Sequence, residues 1–231
     1  MTGILQRDAI ASDPAAGAPA SDADRILTWR WPWLYEGLFR LSPALRRVRA
    51  LEIDAVLARI DAVRGSAGTV IEVGCGPGTY TRHLAARFAH VTALDASRGM
   101  VDHTKARMRR EGHRNVVGAY GRLPDDLRMA ECADGVVAVG VLDFTSDLAG
   151  WLRAMRSCVL PGGWLVFTVP SARTAPRAAG AVEGLLAGRV FTRRIDEVHE
   201  AIAAAGLVDA RIGMVEHRGR AYTMVGSAIA P

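Results

Sequence analysis

Val70-Ile71-Glu72-Val73-Gly74-Cys75-Gly76-Pro77-Gly78-Thr79-Tyr80 decides how the rest of this chain is read. A short β-rich run, Thr69 to Val73, stops abruptly at closely spaced glycines, and HLAARFA follows with helical texture. Glycines at such a strand-to-helix turn let backbone approach a ligand that side chains would exclude. The alternation repeats downstream. VTALD (91–95) reads as a second strand, and SRGMVDHTKARMRREG as a helix capped by Ser97 and closed at Gly112. NVVGAY, GVVAVGVLD (135–143) and WLVFTVP read as the third, fourth and fifth strands, with Pro161-Gly162-Gly163 turning the chain into the fifth. Leu148, Trp151, Leu152, Met155 and Val159 trace the inner face of the helix before it. Strands alternating with such helices predict an α/β fold, a mostly parallel sheet with helices on both faces. The end differs. After a helix over 193–205, ARIGMVEH and RAYTMVGSAI are joined by a short turn at Arg218-Gly219, which predicts an antiparallel C-terminal hairpin on the sheet edge.

Upstream of the glycine turn, residues 44–63 have amphipathic helical spacing. Before them, Trp29, Trp31, Trp33, Tyr35 and Phe39 crowd a segment that Pro32 divides into two short helical pieces. The expected organisation is a flexible tail over 1–22, a helical lid or cap over 23–65, and one domain over 66–231 with an insertion at 171–192. Trp31, Trp33 and Tyr35 are candidates to close over a substrate, against the plainer reading of a helix packed on the sheet. The 231 residues are 50% hydrophobic and 23% charged, a globular composition. Cys75, Cys132 and Cys158 form neither a disulfide framework nor a CxxC metal pair, so reduced thiols and a cytoplasmic location are expected, with no metal. No apolar run approaches the roughly 18–20 residues of a membrane span. The net charge of +5 is almost wholly arginine and is no nucleic-acid footprint by itself, so no nucleic-acid partner is expected.

Two ligands compete for the glycine turn, a dinucleotide and S-adenosylmethionine. Asp95 ends the next strand 21 positions after Gly74, a spacing that suits a carboxylate accepting from ribose hydroxyls. The dinucleotide pattern GxGxxG needs a glycine where Thr79 stands, and the glycines here run GxGxG. Glu72 places an acid where a pyrophosphate would be repelled and a ligand with ammonium and sulfonium groups would be welcome. Electrostatics therefore favour the methyl donor.

The chain resembles the class I S-adenosylmethionine-dependent methyltransferases over about residues 66–170, through IEVGCGPGTYTRHLA, VTALDASRGMVDHTK, GVLDF and LPGGWLVFTVP. The resemblance implies a Rossmann-like, seven-stranded sheet with the last strand inserted antiparallel. It implies that Glu72, Gly74, Cys75, Gly76 and Gly78 surround the methionine part of the donor. Asp95 would take the ribose, Ala96 and Met100 the adenine, with Gly121, Arg122 and Val139 completing the site. S-adenosylhomocysteine would be the product. One departure stands out: the acid that family members often carry after strand three is replaced by Ala119 in GAYGRLP (118–124), leaving adenine to backbone groups near Gly121 and Arg122.

Methyl transfer needs alignment, exclusion of water and at times removal of a proton. Asp143, at the end of strand four, is the leading catalytic candidate, against a reading as a turn or capping residue. His217 and His199 are weaker candidates for a base. Arg173, Arg177, Arg189, Arg193 and Arg194 flank the insertion and are read as solvated or as contacts to an acidic substrate. No NPPY- or DPPY-like run follows strand four, so the expected function is metal-independent methylation of a small molecule, O-methylation slightly ahead of N- or C-. The alternatives are a donor-binding protein of the same fold that does not methylate, motivated by Ala119, and a nucleic-acid or protein methyltransferase. A homodimer is left open.

Overall fold

The structure, a computed structural model, describes residues 43–65, 68–121, 124–129, 132–173 and 190–231. The tail, the tryptophan segment with Trp31, Trp33 and Tyr35, Arg122 and most of the insertion lie outside the described residues. Among those described, β1 (Thr69–Val73), β2 (His90–Asp95), β3 (Val116–Tyr120), β4 (Ala133–Ala138), β5 (Val159–Pro170), β6 (Val208–His217) and β7 (Arg220–Ile229) form one sheet in the order β3-β2-β1-β4-β5-β7-β6. The first five strands are parallel, while β7 pairs antiparallel with β5 and with β6. The hairpin turn has Arg218 and Gly219 both at positive φ (52° and 72°), the backbone of a two-residue turn that suits strand twist.

Helices α1 (Pro43–Val63), α2 (Thr81–Ala85), α3 (Arg98–Arg110), α4 (Leu148–Arg156) and α5 (Ile195–Ala204) cover the sheet. Alternate residues of each central strand enter two separate cores. Ile71, Val73, Val136, Leu165 and Phe167 meet Leu152 and Met155 of α4 and Ile202 of α5. Val70, Val137, Val166 and Val225 meet Val56 and Ile60 of α1, Leu84 of α2 and Phe88. Both faces being buried explains why these strands read as continuous apolar runs.

Several sequence boundaries need correction. β4 ends at Ala138 and not at Asp143, because Gly140 takes φ +67° and its amide turns to Thr168 Oγ1 (2.9 Å). A 3₁₀ turn, Leu142–Phe144, follows. Val159 belongs to β5 and not to the helix face: Ala133 pairs with Val159 and Gly135 with Trp164, so Pro161-Gly162-Gly163 is a bulge within the strand. HLAARFA is helical only to Ala85. Ser97 caps α3 by accepting from Met100 N (3.3 Å), as its position predicts.

The sheet order reverses between β1 and β4. Ligands of open α/β sheets bind at the carboxyl ends of the strands at such a switch point, and both the glycine turn after β1 and Gly140 after β4 lie there.

Candidate functional site

Gly74, Gly76 and Gly78 all take positive φ (70°, 51° and 83°), so the glycines are required by the backbone before any ligand is considered. Their surroundings differ. A Cβ on Gly74 would fall on Cγ2 of Val141, and one on Gly78 would press on Thr104 Oγ1 at 3.1 Å. A Cβ on Gly76 would meet nothing within 4 Å. Gly76 thus lines open space at the switch point.

The turn is held from below by neighbouring elements. Gly74 N and Cys75 N both donate to Leu94 O (2.7 and 3.0 Å). Thr104 Oγ1 donates to Gly76 O (2.7 Å), and Arg107 Nη1 to Pro77 O (3.0 Å). Asp95, buried at the end of β2, accepts from Gly76 N through Oδ2 and from Ser97 N through Oδ1, both at 2.8 Å. A carboxylate offers about four acceptor positions, so these two bonds orient it and leave it able to accept from hydroxyls. Burial raises its pKa, against the lowering effect of the two amides.

Glu72 is the one acid in β1, 3% exposed, and it accepts from Thr81 Oγ1 (2.6 Å) at the start of α2. Burial pushes its carboxyl up to about 8; the Thr81 bond lowers it and the Asp95 charge adds to the rise. The sequence argument assumed an ionised carboxylate. In the free protein at neutral pH burial keeps Glu72 mostly protonated, and a cation placed beside it would draw the proton off. Cys75 is buried, and burial followed by the Glu72 and Asp95 charges puts its thiol well above its ordinary range. It is a small residue in the turn and not a thiolate nucleophile.

Beside the turn, Met100 is buried and Ala96 half-buried. Gly121 is buried, and its amide donates to Asp95 O (3.1 Å). Ala119 packs against the first core. An acid does come near by another route: a Cβ on Gly121 would lie 3.2 Å from Cβ of Asp126, in the 3₁₀ segment Asp125–Met129.

β4 and β5 end on the other side of the switch point. Asp143 is half-buried in the 3₁₀ turn after β4. Of the plainer readings, the helix cap belongs to Asp147, which accepts from Gly150 N (2.8 Å) to cap α4, while the turn role fits Asp143 itself. Residues 191–193 cross the strand exits: Phe191 N donates to Asp143 O (2.7 Å), Arg193 N to Pro170 O (2.9 Å), and Ser171 bridges Arg193. The Arg193 guanidinium donates to Thr145 O (2.6 Å) and lies 5.4 Å from the Phe191 ring centroid.

A family model described as a methyltransferase domain matches residues 45–210. The chain belongs to this methyltransferase family. Among curated proteins it is 33% identical over 100 residues to malonyl-[acyl-carrier protein] O-methyltransferase of Salmonella typhimurium, covering 43% of this chain and 38% of that protein. It is 27% identical over 140 residues to ubiquinone biosynthesis O-methyltransferase of Vibrio vulnificus, covering 60% and 57%. The chain thus spans about half or less of the length of these relatives. Its fold matches magnesium protoporphyrin IX methyltransferase of Synechocystis PCC 6803 with bound SAH (TM-score 0.69, 18% identity, 88% and 97% of the two chains). It also matches a SAM-dependent methyltransferase of Aquifex aeolicus (TM-score 0.65, 18% identity, 87% and 98%).

Within this methyltransferase domain Glu72, Gly74, Cys75, Gly76, Gly78, Asp95, Ala96 and Gly121 lie at or just beyond the carboxyl ends of β1, β2 and β3, Met100 in the first turn of α3, and the half-buried Val139 just after β4. His217 stands apart. It ends β6, which β7 separates from β5, so with strands spaced about 4.8 Å it lies roughly 10 Å from the β5 exit. His199 is exposed on α5. Arg194 pairs with Asp196 (2.7 Å) and Arg173 with Glu216 (3.8 Å), so with Arg193 bound to Thr145 these arginines have protein partners. Among the described residues no group of three or more His, Cys, Asp and Glu could hold a metal ion, and no helix is long and apolar enough to cross a membrane.

Sequence reasoning missed the supports. Thr81, Thr104 and Arg107 fix the turn from helices, and Tyr80 Oη donates to Glu52 Oε1 of α1 (2.7 Å), tying the turn's exit to the helix before β1. None has a local sequence signal. Phe191 lay inside the insertion at 171–192, and Arg193 was read only as solvated or as a contact to an acidic substrate, not as a support.

Proposed function

We propose that this chain is an S-adenosylmethionine-dependent methyltransferase acting on a small molecule, with oxygen the favoured acceptor atom. The open space at Gly76, in a turn preceded by the buried Glu72 and bonded to an Asp95 oriented by two amides, carries the reading. Glu72 sits where a positive ligand would be matched by a carboxylate. Asp95 has acceptor capacity for a vicinal diol, and Met100 with Ala96 offers an apolar wall. When bound, the donor supplies a methyl carbon made electrophilic by the adjacent sulfonium.

The protein's own part is positioning. The glycine turn, pinned by Leu94, Thr104, Arg107 and Asp95, holds one reactant, while the β4 and β5 exits hold the other. An acceptor hydroxyl at the β4 exit would give up its proton to the Asp143 carboxylate or to water. Oxygen is favoured because two relatives are O-methyltransferases by name, and a hydroxyl acceptor is the kind that benefits from a base such as Asp143 after β4.

The test is transfer of a labelled methyl group from S-adenosylmethionine, with small-molecule and macromolecular fractions of a cell extract offered separately. Label in the small-molecule fraction is the expected result. Label only in protein or RNA overturns the acceptor class, and donor binding with no turnover against either fraction favours the non-methylating alternative.

A further inference from the structure

Glu72 is the polar member of an apolar face. It lies two residues after Val70 on β1, so both side chains leave the same side of the sheet. On that side Val70 shares a core with Val56 and Ile60 of α1 and Leu84 of α2. Thr81, the first residue of α2 and 0% exposed, meets Glu72 there: Thr81 Oγ1 donates to Glu72 Oε2 at 2.6 Å, a bond between two buried side chains. The hydroxyl is not spent on its own helix. Tyr80 is the N-cap of α2 and makes no capping bond through its side chain. Thr104, a second buried threonine beside the turn, bonds differently, donating to backbone at Gly76 O (2.7 Å). One threonine supports the backbone of the turn, and the other serves the acid that precedes it.

We propose that Thr81 is a positioning residue for donor binding: its hydroxyl holds the Glu72 carboxyl in the ionised form that receives a cationic group of the donor, and so sets the pH range over which the donor binds. The proposal rests on the methyl-transfer reading above and adds a residue to it. A hydroxyl can donate to a carboxylate or accept from a protonated carboxyl. A hydrogen bond to an ionised partner is roughly twice as strong as a neutral one, so removing the hydroxyl costs the ionised form more. The rest of the surroundings work the other way. Ala93 of β2 and Val137 of β4 stand opposite Glu72 in the sheet, and α1 brings apolar Val56 and Ile60 to its face. Of the ionisable groups, Asp95 of β2 carries a like charge, and the buried Cys75 thiol of the turn is itself raised by Glu72 and Asp95. Burial and the Asp95 charge raise the Glu72 carboxyl, and the bonds from Thr81 lower it.

The experiment titrates the full chain and its variants calorimetrically with S-adenosylmethionine from about pH 6 to about pH 9, across the range in which Glu72 ionises. It reads the ratio of wild-type to variant affinity, in which the ligand's own titration cancels. Thr81→Val keeps the side-chain shape and removes the hydroxyl. The pH at which binding levels off should then rise by about one, so donor affinity should fall about tenfold near pH 7 and only about twofold near pH 9. Thr81→Ser keeps the hydroxyl and should stay near wild type throughout. Thr104→Val, whose hydroxyl goes to backbone, should show a loss that does not change with pH. Thermal unfolding accompanies each variant, and Thr81→Ala carries the test where Thr81→Val does not fold. A Thr81→Val loss as flat with pH as that of Thr104→Val, no loss at all, or the same pH-dependent loss in Thr81→Ser overturns the proposal. Such results with normal donor binding by wild type sink this inference alone. Absence of donor binding by wild type sinks the methyl-transfer reading and this inference with it.

Discussion

Gly76→Ala, set against Gly112→Ala, isolates the open space in the glycine turn from the backbone strain that any such substitution causes. Both glycines take positive φ (51° and 83°), and at both a Cβ would meet nothing within 4 Å. An alanine held in the left-handed region costs about 1–2 kcal/mol. For a domain of this size that corresponds to a melting shift of roughly 2–8 °C, and the two variants should share it. They differ in what the methyl would occupy. Gly112 closes α3 at an exposed position, whereas Gly76 faces the space assigned to the donor. Forcing an extra methyl against a fitted ligand costs about 1–3 kcal/mol, so Gly76→Ala should weaken donor binding by about tenfold or more. Gly112→Ala should leave donor binding unchanged. The assay is calorimetric titration with S-adenosylhomocysteine beside thermal unfolding of each variant. A Gly76→Ala protein that melts like Gly112→Ala and binds the donor like wild type would refute the assignment of that space. Gly74→Ala is a third case: its Cβ would fall on Val141, so its melting temperature should drop further than in either of the other two.

The remaining predictions concern charge and caps. Glu72 has a carboxyl raised to about 8 by burial, and a cationic donor lowers it; binding therefore releases a proton, and donor affinity should rise with pH up to about 8 and level off above. Glu72→Gln should flatten that profile, and a profile already flat in wild type contradicts the role given to Glu72. The same raised pKa favours the folded free protein below the unfolded value of 4.5, a contribution lost as pH climbs through about 8. Asp95→Ala removes the partner of two backbone amides as well as the diol acceptor, so donor affinity should fall at least tenfold and the melting temperature should fall with it. Asp143→Ala should leave donor affinity alone and slow transfer, and equal loss of both would move Asp143 to the donor site. Asp147→Ala should cost about 1 kcal/mol of stability as a lost helix cap, with donor affinity unchanged in the same titration.

What was legible in the sequence was local. The strand, glycine turn and helix at 69–85 could be read because β-branched runs and positive-φ glycines act within a few residues. The terminal hairpin was readable for the same reason at Arg218-Gly219. The end of β4 was not, because Val139, Val141 and Leu142 are as apolar in a turn as in a strand, and only Gly140 with its bond to Thr168 stops pairing. Val159 suited a helix face and a strand equally. At the candidate site, Glu72 and Asp95 could be singled out because they flank the turn in sequence, but their states could not. The burial that protonates Glu72 and the amides that orient Asp95 depend on packing between elements. For Asp143 the helix cap passed to Asp147, while its place in the 3₁₀ turn Leu142–Phe144 agrees with the plainer reading of a turn residue. Phe191, 48 positions after Asp143 yet bonded to it, had no signal short of the fold.

Calorimetric titration of the full chain with S-adenosylmethionine and, separately, S-adenosylhomocysteine tests the central claim most directly. The account predicts saturable binding of one equivalent of each in the micromolar range, with proton release between pH 6 and about 8. Absence of heat and of any thermal shift at millimolar concentrations of both would contradict it.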